Sequence, residues 1–164
     1  MSPTSKQLAE QYAQRTQEPM RTAATLSKRQ WQAPCVDKGW TVGVTAHHLA
    51  ATVPLILDSA RSIMSGHELP ANTVELTNQF NAQHASKHAA CTRQETLTLL
   101  KQNGELATAF VRGLSEQDLE RRAPLAFLSG QEWTTRQWLE NILIGHIGMH
   151  LPSIQAALSA QGRP

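Results

Sequence analysis

Helical periodicity in four long segments is the feature that most restricts what this chain can fold into. The segments cover roughly residues 4–27, 41–65, 74–112 and 134–160, and apolar residues recur within them at helical spacing. Runs of alternating apolar and polar residues, which are typical of half-buried strands, are nearly absent. Four long helices joined by modest connections favour an up-and-down bundle. We therefore predict an all-α, up-and-down four-helix bundle.

Capping residues predict where these helices begin and end. Thr92 and Thr134 each stand three residues before a Glu or Gln, which is the pattern of a capping box, and Thr41 is placed to cap the second helix. Gly66 can supply a left-handed residue at the end of the second helix. A short connecting helix is expected over residues 115–118.

Three prolines lie inside the predicted helices. A proline ring removes one backbone donor and crowds the preceding turn. Pro19 is therefore expected to kink the first helix or to mark a restart. Pro54 and Pro152 are expected to bend the second and the last helix.

Length and charge restrict the class of protein. The chain has 164 residues and we treat residues 1–164 as a single domain. Its 15 basic and 13 acidic residues leave a net charge of +2 with no basic run, which argues against a nucleic-acid partner. No apolar stretch reaches the ~20 residues of a membrane span, and no signal-peptide core is present. Because Cys35 and Cys91 are too few for a disulfide scaffold, we expect a cytoplasmic protein.

The histidines are the residues most suited to chemistry. His146 and His150 lie four residues apart in the last helix, so their rings project from one face about 6 Å apart along the axis and can share a metal ion. Leu143 and Ile154 lie on the same face, which should therefore point into the bundle. The alternative is a pair of core histidines bonded to carbonyls or water. Position 147 is Ile, so the Glu base of a zinc-protease helix is missing.

A third imidazole from a neighbouring helix would complete an open three-ligand site. His48 is the stronger choice, because it shares a mostly apolar face with Val44 and Leu55. His47 lies about 100° further round the helix and is expected at a boundary. An open position would then remain for water or substrate.

Another histidine pair lies in the third segment. His84 and His88 are again four residues apart, but Gln, Asn, Ser and Lys surround them. We interpret this pair mainly as a solvated face. His47, Asn81 and His84 remain candidate pocket residues near the mouth of the site.

The segment from Trp40 to Ala50 resembles the entry to the second helix of DinB-like proteins. In that family a Trp-Ser/Thr-Val opening is followed, eight residues after the Trp, by a metal-binding His and then Leu-Ala. This register selects His48. His146 and His150 match the His-x-x-x-His of the family's last helix. The resemblance extends over about residues 12–158.

The resemblance implies a DinB-like four-helix bundle, frequently a homodimer, that holds a divalent metal through His48, His146 and His150. We expect Zn or Ni. The superfamily also includes the N-terminal domain of mycothiol-dependent maleylpyruvate isomerase and thiol S-transferases, which implies a low-molecular-weight thiol as an expected cosubstrate. Where members carry a polar Arg-Gly-Gln-like run after the last ligand, this chain has Leu151-Pro152-Ser153, so the rim of its site differs.

Two classes of function follow from these observations. The first is a metal-dependent enzyme that acts on a small molecule, either as a thiol-dependent S-transferase or isomerase or as a hydrolase. No Asp or Glu is clearly placed as a base, and catalytic residues are not assigned. The alternative is a non-catalytic metal-binding or small-ligand-binding bundle that serves as a dimeric scaffold. A fourth ligand such as His47 or His84 would favour this alternative.

Overall fold

The computed structural model describes residues 2–36, 38–70 and 74–161, and most of them are helical. The helices are α1 (Ser5–Thr25), α2 (Lys28–Trp31), α3 (Val42–Ala51), α4 (Val53–Met64), α5 (Val74–Lys87), α6 (Arg93–Arg112), α7 (Glu116–Glu120), α8 (Thr135–Trp138) and α9 (Gly145–Gln161). Two short strands, β1 (Arg122–Leu125) and β2 (Gln131–Thr134), flank a 3-10 turn over Ala126–Leu128. A π-helical segment, Leu139–Ile144, joins α8 to α9.

Four helical walls enclose the core, and the predicted all-α four-helix bundle is confirmed. The walls are α1, α3 with α4, α6, and the π-helical segment with α9. α1 packs most extensively against α6, and α6 in turn packs against α3. α3 also contacts α9, so it is enclosed by its neighbours.

The position of α3 matters for the site because this helix is buried along nearly its whole length. Every residue from Val42 to Ala50 is buried. Its two histidines therefore lie inside the bundle, whichever way they point.

In the part of the chain described, no helix combines the length and the hydropathy that crossing a bilayer requires. Cys35 and Cys91 both carry free thiols.

The predicted caps are present. The Thr41 hydroxyl accepts a hydrogen bond from the Val44 amide at 3.1 Å. Thr92 and Thr134 each form a reciprocal capping box. Gly66 has the left-handed backbone expected after α4, with φ +73°. The short helix predicted after Ser115 is α7.

The three prolines lie in helices of the structure, and Pro19 does not restart the first helix. Pro19 lies inside α1, which neither stops nor restarts there. Its ring is buried and lines a small gap together with Val42 and Ile154. The second predicted helix is divided at Thr52, and Pro54 occupies the first turn of α4, where no backbone donor is needed. The last helix departs from α geometry in its π-helical segment, ahead of Pro152.

The β-hairpin was not predicted. β1 and β2 pair antiparallel, with Leu125 opposite Gln131. Each strand has only four residues, and Pro124 interrupts β1, so no alternating pattern exists to detect. The available signal was the Ser129-Gly130 pair, whose φ angles of 56° and 78° make the reversal.

Candidate metal centre

Three histidines from two helices meet inside the bundle, and we refer to His48, His146 and His150 as the first triad. Nε2 of His48 lies 3.3 Å from Nε2 of His146. The ring centroid of His150 lies 5.0 Å from that of His48 and 4.7 Å from that of His146. Each ring offers a nitrogen within 4.8 Å of the other two. The structure thus brings together the three residues selected from the sequence.

The spacing of the first triad fits a metal ion. Zinc–imidazole bonds are about 2.0–2.1 Å long, so two nitrogens at tetrahedral positions lie about 3.3 Å apart. The Nε2 atoms of His48 and His146 have that separation, 3.3 Å. The first triad therefore offers two nitrogens at the separation that one shared ion requires.

Burial keeps the imidazoles of His48 and His146 neutral near pH 7. It lowers the pKa of His48 from 6.5 to about 2, and the neighbouring His146 and His150 lower it further. Burial and then His150 lower the pKa of His146 to about 4. Neutral rings offer lone pairs, and only the deprotonated nitrogen binds a metal. Protons therefore compete weakly for this site near neutral pH.

Thr52, at the junction of α3 and α4, orients one imidazole of the first triad. Its hydroxyl donates to the carbonyl of His48 at 2.8 Å, and its oxygen lies 3.5 Å from Nδ1 of His146. Because the hydroxyl proton is already used, the oxygen acts as an acceptor toward His146. This contact favours the tautomer with the proton on Nδ1, which leaves the Nε2 lone pair facing His48.

Two residues that the sequence reasoning did not place at the site lie beside it. The half-buried Trp40 ring packs edge-on against His48, with centroids 5.2 Å apart. The exposed Lys38 holds its ammonium 4.8 Å from the centre of the Trp40 ring, and its charge lowers the pKa of His48 and His146. Both stand just before the Thr41 cap, and the available signal was the position of Trp40 at the start of the segment that resembles DinB-like proteins. Lys38 gives the first triad a positively charged neighbour, and Trp40 gives it an aromatic one.

A second group of histidines corrects the prediction of a solvated face. His47, His84 and His88 each offer a nitrogen within 4.8 Å of the others, and we refer to them as the second triad. His47 and His84 are buried, and His88 is half-buried. His84, near the end of α5, and His88, just after it, have the same four-residue spacing as His146 and His150, but their polar neighbours concealed the signal.

The candidate pocket residues His47, Asn81 and His84 do not line one common pocket among the described residues. His84 is not a member of the first triad, although its ring centroid lies 5.2 Å from that of His48. His47 lines a cavity of about 580 Å³ together with His88 and Gln94. Asn81 is half-buried on α5 and, in the described part of the chain, is not among the residues that line this cavity.

The family assignment rests on a match over most of the chain. The sequence profile of the DinB superfamily matches residues 11–154. The chain belongs to the DinB superfamily. In this DinB superfamily member, the matched region contains both histidine triads. A comparison with curated proteins gives no match.

Solved structures with the same fold are distant in sequence. YfiT from Bacillus subtilis, described as a probable metal-dependent hydrolase with an unusual four-helix bundle topology, has a TM-score of 0.75 at 20% identity, over 100% of this chain and 93% of that one. Mycothiol-dependent maleylpyruvate isomerase has a TM-score of 0.70 at 14% identity, over 93% of this chain but only 61% of the isomerase. The DinB-like protein YjoA from Bacillus subtilis has a TM-score of 0.62 at 15% identity, over 96% and 94% of the two chains. At these identities the likeness concerns the fold.

Proposed function

We propose that this chain is a divalent-metal-dependent enzyme that acts on a small molecule, with His48, His146 and His150 as metal ligands. One observation carries the proposal: three imidazoles converge within 4.8 Å of one another, and two of them stand 3.3 Å apart, the separation of ligands that share an ion. Among the described residues, no fourth His, Cys, Asp or Glu joins this group. A coordination position is therefore left for water or substrate, as in catalytic zinc sites. Zn or Ni is the ion we expect.

Hydrolysis is the reaction we favour. A bound ion of this kind acts as a Lewis acid and lowers the pKa of a water or thiol that it holds. No Asp or Glu in the described residues is among the groups that shift the pKa of His48 or His146, so no carboxylate base is evident beside them. YfiT, which this chain matches over nearly its whole length, supports the same choice through its description as a probable hydrolase.

Lys38 and Trp40 suggest the chemical class of the substrate. The ammonium of Lys38 would attract a carboxylate or another anionic group, while the Trp40 ring would pack against an apolar part. We therefore propose a small ester or amide that carries a negative charge. Replacing Lys38 by Ala should raise KM for such a substrate more than it lowers kcat. Equal effects on a neutral and a charged ester would contradict this assignment.

Thiol-dependent transfer or isomerisation is the second candidate. The positive charge of Lys38 would also favour the thiolate form of an incoming low-molecular-weight thiol. The fold similarity to mycothiol-dependent maleylpyruvate isomerase supports this candidate. The two reactions differ in one requirement, because only transfer or isomerisation needs the added thiol.

The first experiment measures metal content and turnover in the same preparations. Tag-free wild type, His146→Ala and the control His67→Ala are dialysed against Zn or Ni and subjected to elemental analysis. His67 is an exposed histidine outside both triads. We expect His146→Ala to lose one equivalent of metal that the control retains. Small anionic esters and amides are then assayed with and without thiols.

The outcomes separate the proposed functions. Turnover without thiol that His146→Ala abolishes and His67→Ala retains supports hydrolysis. A strict requirement for thiol supports transfer or isomerisation. Metal binding without turnover of either class supports the non-catalytic scaffold. An absence of metal in the wild type after dialysis would refute the metal-dependent enzyme.

We also propose that the protein has no nucleic-acid partner, on the basis of its net charge of +2 and the lack of a basic run.

We propose in addition that the protein is a homodimer. Leu55, Leu76 and Phe80 are between 45% and 52% exposed on α4 and α5. They line one groove of about 520 Å³, and an apolar groove of this kind supports self-association through this face. Sedimentation equilibrium should give twice the chain mass, and Leu76→Glu should reduce it toward the monomer. A monomeric wild type would refute the dimer.

A further inference from the structure

We propose that the second triad, His47, His84 and His88, is a second divalent-metal site. This site is separate from the metal centre of the proposed function and does not depend on what reaction that centre performs. Nδ1 of His47 lies 3.3 Å from Nε2 of His84. This is the separation of two nitrogens on one tetrahedral ion, about 3.3 Å, and the separation found between His48 and His146.

The two triads have closely similar geometry. In each, a histidine of α3 meets a pair of histidines four residues apart. The paired rings have centroids 4.7 Å apart in both triads. The α3 ring lies 5.1 Å from the first ring of its pair in both. The remaining distance is shorter in the second triad, where His47 and His88 are stacked at 4.1 Å.

Local backbone structure places both rings of the α5 pair on one side. His84 is near the end of α5, and the amide of His88 donates to the carbonyl of His84 at 3.0 Å. The helical hydrogen-bond pattern therefore extends past Lys87 to His88. Residues four apart in such a turn lie one above the other, which is the arrangement that lets two imidazoles share an ion.

The burial of His47 and His84 indicates that the three histidines of the second triad form one site. His47 and His84 are each only 8% exposed. The contact between them satisfies one nitrogen of each ring, whereas an ion would engage all three residues at once.

The surroundings suit a cation with an open coordination side. His47 and His88 line the 580 Å³ cavity, which leaves room for water or another ligand. Glu95 and Lys87 also line it. Against the effect of burial, the charge of the Glu95 carboxylate raises the pKa of His47, and His47 and His88 in turn favour the charged form of Glu95. A negative charge therefore stands close to the proposed ion. The positive charge of Lys87 disfavours protonation of His84. In the first triad, the corresponding charged neighbour is Lys38.

A metal here would attach α5 to the bundle. Within the part of the chain described, α5 lacks the extensive packing against other elements that holds α1, α3 and α6 together. The second triad joins α5 and its following turn to α3 through side-chain contacts. Binding should therefore stabilise the native position of α5, because a ligand that binds only the folded form raises its stability.

The test counts metal equivalents in matched variants of the full chain. Metal-free wild type, His88→Ala, His146→Ala, the double variant and His67→Ala are dialysed against Zn²⁺ and analysed for zinc and by circular dichroism. His88 is chosen because it is half-buried and lies away from the ring contacts of the first triad. We expect two equivalents in the wild type and in His67→Ala, one in each other single variant and none in the double variant.

Hydrogen exchange gives an independent readout of the second site. Zinc should slow amide exchange in α5 in the wild type and in His146→Ala, but not in His88→Ala. A single equivalent in the wild type that His146→Ala removes and His88→Ala keeps would overturn the second site and leave the first intact. Loss of zinc from His88→Ala alone would support the second site, even if the first failed. Loss of both equivalents from His88→Ala with native circular dichroism would overturn the assignment of two separate sites.

Discussion

Gly43 tests whether close packing against Trp31 at the start of α3 stabilises the fold. A Cβ added at Gly43 would lie 2.4 Å from Nε1 and 2.5 Å from Cε2 of Trp31. Ordinary van der Waals contact at a Cβ is 3.4–4 Å, so Gly43→Ala requires either the indole or the helix to move. The indole is restrained, because its Nε1 donates to the carbonyl of Cys91 at 3.0 Å.

The size of the effect follows from three contributions. Overpacking a buried contact costs about 1–3 kcal/mol. Lengthening the hydrogen bond of Trp31 adds about 1 kcal/mol. The better helix propensity of Ala offsets at most about 1 kcal/mol. We expect Gly43→Ala to lower the free energy of unfolding by about 2 kcal/mol, which for a chain of this size lowers Tm by about 4–8 °C.

Thermal and guanidinium unfolding measure this effect against a matched control. Gly104 also lies within a helix, α6, but a Cβ there would meet nothing within 4 Å. Gly104→Ala should therefore leave stability unchanged or raise it by up to about 1 kcal/mol. In a Trp31→Ala background the clash is absent, and adding Gly43→Ala should no longer destabilise. An unchanged Tm in Gly43→Ala, or the same loss with and without Trp31, would refute the packing argument.

Three further predictions concern charge and metal. The pKa values of His48, His84 and His146 in the fold lie below 6.5, at about 2, 4 and 4, so the unfolded chain binds more protons as pH falls from about 6.5 to 4. The free energy of unfolding of the metal-free protein should fall over this range, by at most about 1.4 kcal/mol per pH unit for each histidine, and urea titrations that show no pH dependence would contradict this. Zinc at about 100 times the Kd of a site should add about 2.7 kcal/mol of stability for each site that it fills, and a chelator should reverse the rise in Tm; a Tm indifferent to both would argue against binding to the folded state. Arg136 is 7% exposed and pairs with two glutamates at 2.7 and 2.9 Å, so Arg136→Met should cost about 2 kcal/mol in chemical denaturation, and full rescue by Arg136→Lys would show that the forked geometry is unimportant.

Local signals explain why the helix boundaries were predictable. A capping box needs only two side chains three residues apart, as at Thr92 and Thr134, so it can be recognised without knowledge of the tertiary structure. The hairpin lacked such a local pattern. Its first strand is held partly by a remote residue, since the Leu69 amide donates to the carbonyl of Pro124 and the Leu69 carbonyl accepts from Ala126, both at 3.1 Å. A contact of this kind depends on the path of the chain and leaves no periodicity.

The two histidine triads differ in predictability for a related reason. His146 and His150 interrupt an apolar stripe, so the face that carries them could be assigned to the core from the sequence. α5 has no such stripe, and Leu76 and Phe80 are 52% and 45% exposed on it. Hydrophobic pattern therefore could not show which face of α5 meets the bundle. The burial of His84 arises from its contact with α3, which only the three-dimensional structure reveals.

The consecutive histidines of α3 carry the most information about function. Neighbouring residues on a helix point about 100° apart, so His47 and His48 cannot readily bind the same ion. On a surface helix one of them would face solvent, but α3 is buried from Val42 to Ala50, and both must meet neighbouring elements. His48 meets the pair in α9, and His47 meets the pair in and just after α5. A His-His dipeptide on a fully enclosed helix thus supplies one residue to each of two clusters. In a sequence, this arrangement differs from a single site by a second pair of histidines four residues apart elsewhere in the chain.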